Sequence, residues 1–185
     1  MISIKVNIGS LKGVFGDLEQ MLADPSDLNV TLGERLESDL SDYFVKRNQQ
    51  PNKRGWNKRD WWAKVANDMN LLIESNGARL IINEPGFALR LFGGVVRPKT
   101  AKALTIPLTE KAYLAERASE FPGELFRPRG TNILATEDGD DFEAHYALVK
   151  KTTHEPDDEA LPKLEDLEKM LAEETSNYVK NQFRN

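Results

Sequence analysis

The sequence predicts an α+β fold: a mainly antiparallel sheet with two principal amphipathic helices, over about residues 31–48 and 159–183. Three observations carry this. Ile2, Ile4, Val6 and Ile8 alternate with Ser3, Lys5 and Asn7, the period-two signature of a half-buried strand. Leu32, Leu36, Leu40, Tyr43 and Phe44 recur instead at helical spacing, as do Leu161, Leu164, Leu167, Leu171 and Tyr178. The remaining β-type runs are separated by turn residues and do not alternate regularly with helices, so a parallel nucleotide-binding sheet is not expected.

After the first strand, a short apolar segment around Leu18, Met21 and Leu22 ends at Asp24-Pro25. Thr31-Leu32-Gly33-Glu34 has the spacing of a capping box, in which hydroxyl and carboxylate satisfy first-turn amides, so the first long helix is expected to open there. Pro51 should stop it. A short helix is expected from near Lys58 to about Met69. A hairpin follows, Leu71 to Glu74 and Ala78 to Asn83, turning at Ser75-Asn76-Gly77, where Asn-Gly accepts the positive φ angles of tight turns. Phe87 to Phe92 is a brief apolar run leading into Gly93-Gly94. Val95 to Lys99 and Ala103 to Leu108 read as extended chain, and Thr109-Glu110 opens a short helix to about Phe121. The last β signals are Leu125 to Arg127, Asn132 to Thr136 and Phe142 to Lys151. Glu137 to Asp141 forms a hairpin tip, and Phe142, Ala144, Tyr146 and Leu148 share one face of the final strand.

With 185 residues, 39% hydrophobic and 30% charged, the chain is expected to form a single domain over 1–185. Within it, 46–64 is set apart as a Trp/basic loop-helix insertion and 152–185 as an acidic C-terminal helix. The net charge of −5 gives no global basicity for nucleic acid. The absence of cysteine excludes a disulfide framework and thiolate metal sites, and fits a reducing compartment. No apolar run has bilayer-spanning length, and the first residues lack a signal-peptide plan, so folding in a cytoplasm is expected.

Residue types that carry catalysis are sparse. His145, on the presumed polar face of a strand, and His154, in a polar loop, have no partner at metal-ligand spacing and read as surface histidines. Asp138, Asp140 and Asp141 lack the calcium-loop pattern and read as a solvated turn. Neither glycine-rich phosphate loop nor nucleophile elbow occurs. Enzymatic activity, a cofactor, a metal and a small-molecule substrate are therefore not expected.

Residues 46–64 depart from a bland surface. Lys46, Arg47, Lys53, Arg54, Lys58, Arg59 and Lys64 are interleaved with Trp56, Trp61 and Trp62, all the tryptophans of the chain. Three readings stand: one or two tryptophans filling the core while the lysines stay solvated, an interface rich in the Trp and Arg of energetic hot spots, or a site holding single-stranded nucleic acid by charge and stacking. The acidic stretch from Glu137 to Glu174 offers a complementary patch, either for head-to-tail self-association or for pairing within the monomer.

The order of elements resembles the phage virion morphogenesis, or tail-completion, proteins of Mu-like and related tailed phages. The resemblance rests on the helix Leu32 to Arg47 leading into Gln50-Pro51-Asn52-Lys53-Arg54-Gly55-Trp56, on Phe87-Ala88-Leu89-Arg90-Leu91-Phe92-Gly93-Gly94, on the Pro-Lys, Ala-Lys and Ile-Pro-Leu elements of Val95 to Leu108, and on the late strand Tyr146 to Lys151. It covers roughly Thr31 to Lys151. Arg90 and Leu91 stand where the family often carries a Tyr and a His or Gln. The resemblance implies a structural virion protein that completes the tail at its head-proximal end and joins it to the head. It would act as a ring-like homo-oligomer with neighbouring tail and neck proteins, assembled in the host cytoplasm. The Gly93-Gly94 pair would allow close approach of a neighbour, and the arm Val95 to Leu108, with Arg97 and Lys99, would lie extended against an adjacent subunit. The interface residues expected on these grounds are Arg47, Lys53, Arg54, Trp56, Lys58, Arg59, Trp61, Trp62, Gly93, Gly94, Arg97 and Lys99. The competing function is a nucleic-acid-binding accessory protein using residues 46–64.

Overall fold

The computed structural model describes residues 2–7, 25–52, 54–139 and 141–182; side chains at positions 6, 7, 138 and 182 are outside the description. Ile8, the apolar segment around Leu18, Met21 and Leu22, and the acidic tip residue Asp140 lie outside the described residues. The fold is α+β. The described residues form five helices and eight strands, and every strand pairing is antiparallel, in three small sheets. They divide into two compact units. The first takes in Met1–Gln50, Asp60–Phe92 and Asp157–Asn185; the second takes in Pro51–Arg59 and Gly93–Pro156.

The first unit is a sheet covered by helices. β1 (Ile2–Asn7), β2 (Met69–Glu74) and β3 (Gly77–Ile82) form a sheet of order β1-β3-β2. The expected hairpin is present, closed by the pair Glu74–Gly77, so its two loop residues are Ser75 and Asn76 rather than Asn-Gly. α1 (Ser26–Gln49) crosses this sheet. Gly33 makes the close passage possible: a Cβ there would lie 2.9 Å from both the Ala78 Cβ and the Leu71 Cδ1. Leu36, Leu40 and Phe44 form the core with Trp62 and Val65 of α2 (Trp61–Asn67), Leu80 and Ile82 of β3, and Phe87 of α3 (Phe87–Phe92). α5 (Leu164–Gln182) adds Leu167, Met170 and Leu171 to this core, and Tyr178 packs on a smaller cluster of Leu28 and Leu32.

Several boundaries differ from expectation. α1 opens at Ser26, after Pro25, and not at Thr31; the Thr31 hydroxyl donates to the Asp27 carbonyl one turn back, so no capping box forms. Burial of Leu28 beside Leu32 rewards the extra turn. Pro51 follows the end of α1 at Gln49, as expected. α2 starts at Trp61 because Asp60 sits at φ 46, a left-handed conformation that a helix cannot include. α5 starts at Leu164 rather than about 159. Leu164 is 69% exposed, outside the apolar stripe expected of it.

The second unit is built from strands of three to nine residues and short helical turns. β4 (Gly94–Val96) pairs with β8 (Thr152–His154), and β5 (Leu104–Pro107), β7 (Asp141–Val149) and β6 (Ile133–Asp138) form a sheet of order β5-β7-β6. α4 (Glu110–Leu114) is capped as its sequence suggests, the Thr109 hydroxyl accepting from the Ala112 N–H, but ends at Leu114, and only a 3-10 turn, Ala118–Glu120, follows before Phe121. Of the strand expected at Leu125 to Arg127, a single bridge from Phe126 to Ala135 remains. Ala112, Phe121 and Tyr146 make a small core, with the Tyr146 hydroxyl donating to the Ala112 carbonyl at 3.0 Å. Burial pushes the Tyr146 phenol up from its ordinary pKa, against the opposing field of Arg59.

His145 is buried, not on the surface as expected. The β6–β7 register shifts between Leu134 and Ala135: Leu134 faces Tyr146 and Ala135 faces Ala144, leaving His145 as an extra residue in a β-bulge. The bulge breaks the two-residue alternation, so His145 and Tyr146 both turn inward. The imidazole meets the Thr109 hydroxyl at Nδ1 (3.1 Å) and the Thr136 hydroxyl at Nε2 (3.0 Å), against the Phe121 ring. His154 is exposed, but it ends β8 rather than lying in a loop.

Gly93 is strained for any other residue. Its φ is +67, and a Cβ would stand 2.7 Å from the His154 carbonyl oxygen and 2.9 Å from the Pro156 nitrogen, both backbone atoms that do not rotate away. Gly93→Ala is expected to cost about 2 kcal/mol, from the left-handed conformation and the clash together. Chemical denaturation of the variant checks this, with hydrogen exchange of β4 and β8 amides locating the loss.

Candidate interface

The twelve residues expected at an interface divide between the two units. Lys53 lies outside the described residues. Arg47, Trp61 and Trp62 belong to the first unit, and the others to the second.

In the first unit these side chains hold the fold together. Trp62 is buried, stacked on Phe44 with ring centroids 5.8 Å apart and 14° between planes, while Trp61 packs edge-on against it. Both of the adjacent tryptophans thus serve the core, Trp61 from its rim. Arg47 is 8% exposed and lies over the Trp62 ring at 4.7 Å. Its guanidinium bonds the Asp157 carboxylate at 2.8 Å and that of Glu159, two of the acids ahead of α5. Arg90 shares Asp157 at 3.2 Å and covers both indoles, 5.4 Å from Trp61 and 5.2 Å from Trp62. Tyr43 donates to the Glu159 carbonyl at 2.6 Å, and burial holds its phenol above the usual pKa. These pairings realise, within one chain, the alternative that basic and acidic stretches meet internally.

The second unit presents a different arrangement. Segment 51–59 reaches α4, where the Asn57 N–H donates to the Glu110 carboxylate at 2.6 Å. There Arg54, Trp56, Tyr113 and Arg59 form a ladder of two adjoining rings with a cation at each end. The Arg54 guanidinium lies 4.8 Å over Trp56, Trp56 leans on Tyr113 at 5.5 Å, and Arg59 lies 5.0 Å over Tyr113. The ladder is anchored at both ends. Arg54 donates to the Pro107 carbonyl at 3.0 Å, and Arg59 pairs with Glu116 at 3.6 Å. Glu116 holds a left-handed φ of 56 in the chain turn after α4. Arg54 and Lys58 are exposed, and Trp56, Arg59 and Tyr113 are half-buried. Leu108 and Leu114, flanking α4 in sequence, are exposed apolar side chains at 44% and 43%.

The glycine arm folds onto its own chain. Val95 pairs with Thr153 and Ile106 with Ala147, so both ends of Val95 to Leu108 are paired within the unit. Arg97 and Lys99 are exposed between the two pairings.

No family model, curated protein or solved structure matches this chain. The functional reading therefore rests on the residues themselves. Among the described residues, no group of three or more His, Asp or Glu could hold a metal ion, and no helix is long and apolar enough to cross a membrane.

The sequence missed two members of the ladder, Tyr113 and Glu116, and both halves of the Arg47 clamp, Asp157 and Glu159. No local signal marks any of them. Tyr113 reads as an ordinary helix residue until folding brings it against Trp56, and Asp157 and Glu159 lie 110 and 112 residues from Arg47.

Proposed function

We propose that this chain is a structural assembly protein of a tailed phage or prophage, of the tail-completion type, working through contacts with copies of itself and with neighbouring tail and neck proteins in the virion. The observation that carries the protein-contact reading is the ladder Arg54–Trp56–Tyr113–Arg59. Two half-buried aromatic rings and their guanidiniums are tied down by contacts of Arg54, Arg59 and Asn57 with the Pro107 carbonyl and the Glu116 and Glu110 carboxylates. Pre-ordered Trp, Tyr and Arg side chains lose little entropy on docking, and they dominate interface energetics for that reason. The exposed acids of α5, among them Glu165, Asp166 and Glu168 around the exposed Leu164, offer a surface of opposite sign on another copy. The phage assignment itself rests on the sequence resemblance.

The competing reading is single-stranded nucleic acid held by charge and stacking; Arg54 already covers one face of Trp56 and Arg59 one face of Tyr113.

Trp56→Ala is expected to weaken self-association at least tenfold, with Arg54→Ala following in the same direction, while the circular dichroism of the monomer is unchanged. Sedimentation velocity across a concentration series measures it. Assembly at wild-type strength in both variants removes the ladder from the interface. Binding of duplex or single-stranded DNA that falls steeply with salt moves the protein to the nucleic-acid reading.

A further inference from the structure

A sheet edge is a row of free N–H and C=O groups, and proteins usually blunt it with Lys, Pro, a bulge or extreme shortness. Each described edge strand but one carries such a device. β1 has Lys5, paired with Glu74 at 2.9 Å. β5 ends in Pro107, and β6 is bridged by Phe126. β4 and β8 are only three residues each. β2, Met69-Asn70-Leu71-Leu72-Ile73-Glu74, has no Lys, Pro or bulge, its one charge, Glu74, stands at its end and is neutralised by Lys5 and Arg79, and among the described residues no strand pairs with its outer side. It also exposes Leu72 at 47% and Ile73 at 43%, an unusual pair of apolar side chains to leave in water.

The phase of the ladder says which backbone groups are free. The Asn83 N–H donates to the Asp68 carbonyl, and Asp68 stands in the same register as Asn70–Ile81, Leu72–Arg79 and Glu74–Gly77. In an antiparallel pair, bonded and non-bonded positions alternate. The even positions of β2 therefore bond β3, and Met69, Leu71 and Ile73 turn their N–H and C=O outward.

We infer that β2 pairs edge to edge with β2 of a second copy, antiparallel about a two-fold axis through Leu72. In that register Leu71 of each copy lies opposite Ile73 of the other. Both are outward-facing, so each such pair exchanges both backbone bonds. Leu72 lies against Leu72 of the second copy at a non-bonded position, where side chains approach most closely. Asn70 faces Glu74 of the second copy, so no like charges meet, and each Glu74 stays neutralised by Lys5 and by Arg79 at 2.9 Å. These ion pairs also hold the Glu74 carboxyl below its usual pKa, the Lys5 hydrogen bond contributing most. The strand is thus self-complementary in pattern, phase and charge, which selects a second copy over an unrelated strand. The contact is isologous and closes at two subunits. It stands independently of the ladder and of any phage role.

Cysteine scanning tests the register directly, because the chain contains no cysteine. Across a non-bonded antiparallel pair, Cα atoms are about 4.5 Å apart, within disulfide reach. Leu72→Cys is expected to give a covalent dimer under mild oxidation. In the same register the two copies of residue 70 are about 14 Å apart, beyond disulfide reach, so Asn70→Cys is expected to stay monomeric on a non-reducing gel. Leu72→Lys places two ammonium groups face to face and is expected to raise the dimer dissociation constant at least tenfold without altering the monomer's melting curve. The inference is overturned by a wild-type protein that stays monomeric to millimolar concentration, by equal cross-linking of the two cysteine variants, or by an unchanged dissociation constant for Leu72→Lys. The Trp56 and Leu72 variants report on separate contacts, so either can fail alone.

Discussion

Phe44→Ala is expected to lower the free energy of unfolding by about 3–5 kcal/mol, the range for removing a fully buried ring. Phe44 has no exposed surface and stands where four elements converge. Its ring stacks on Trp62 of α2, meets Phe87 of α3 edge-on at 5.8 Å, and contacts Tyr43 of its own helix at 5.9 Å. Truncation leaves a cavity whose walls are themselves pinned. Trp62 is covered by Arg47 and Arg90, and Phe87 follows the Gly86 turn into α3. The site cannot collapse cheaply, which places the variant at the upper end of the range. Against a typical total of about 5–15 kcal/mol, such a loss is a large share of stability. Urea denaturation followed by tryptophan fluorescence measures it, since Trp62 borders the cavity. A cost below about 1 kcal/mol means that the aromatic cluster is not the centre of the first unit.

Much of that unit was legible because its signals are local. The i, i+4 rhythm of Leu32, Leu36, Leu40 and Phe44 is the buried stripe of α1, and the Ser75-Asn76-Gly77 turn between two β runs is the β2–β3 hairpin. Boundaries failed where a tertiary contact outweighed a local preference. Thr31 has the right spacing for a cap, yet burial of Leu28 carries the helix a turn further back. Asp60 interrupts α2 through a backbone angle that no periodicity reports.

The second unit was less legible, and His145 shows why. Alternation assigns it to a polar face, but one inserted residue in the β6–β7 pairing reverses the face locally. Register depends on the partner strand, so a single strand's pattern cannot encode it. The Trp/basic segment 46–64 was visible as unusual, but its division was not. Trp61 and Trp62 serve the core, whereas Arg54, Trp56 and Arg59 build a half-buried ladder with Tyr113, which is distant in sequence. Composition marked the segment; only the fold sorted its residues by role.

Arg47 is the sharpest case of that sorting, and its variants separate packing from charge. It was expected at a surface interface; its side chain is 8% exposed and clamps Asp157 and Glu159 over the Trp62 ring. Removing one partner of a buried ion pair costs about 3–5 kcal/mol when the other is left stranded. Here the carboxylates retain routes to relief: Glu159 is 75% exposed, and Asp157 keeps Arg90. Arg47→Ala is accordingly expected at the low end, about 3 kcal/mol, much of it lost stem packing against Trp62. Arg47→Met restores that packing and removes a guanidinium whose Nε is buried without a partner, so it is expected to cost about 1 kcal/mol. Arg47→Lys keeps the charge but loses the fork that spans two carboxylates, and should fall between the other two. Urea midpoints order the three variants. Limited proteolysis should show cleavage between Asp157 and Leu164 in the Ala variant first, because the clamp ties the chain ahead of α5 to the end of α1. An order in which Lys is the most stable and Met no better than Ala means that charge, not packing, carries this contact.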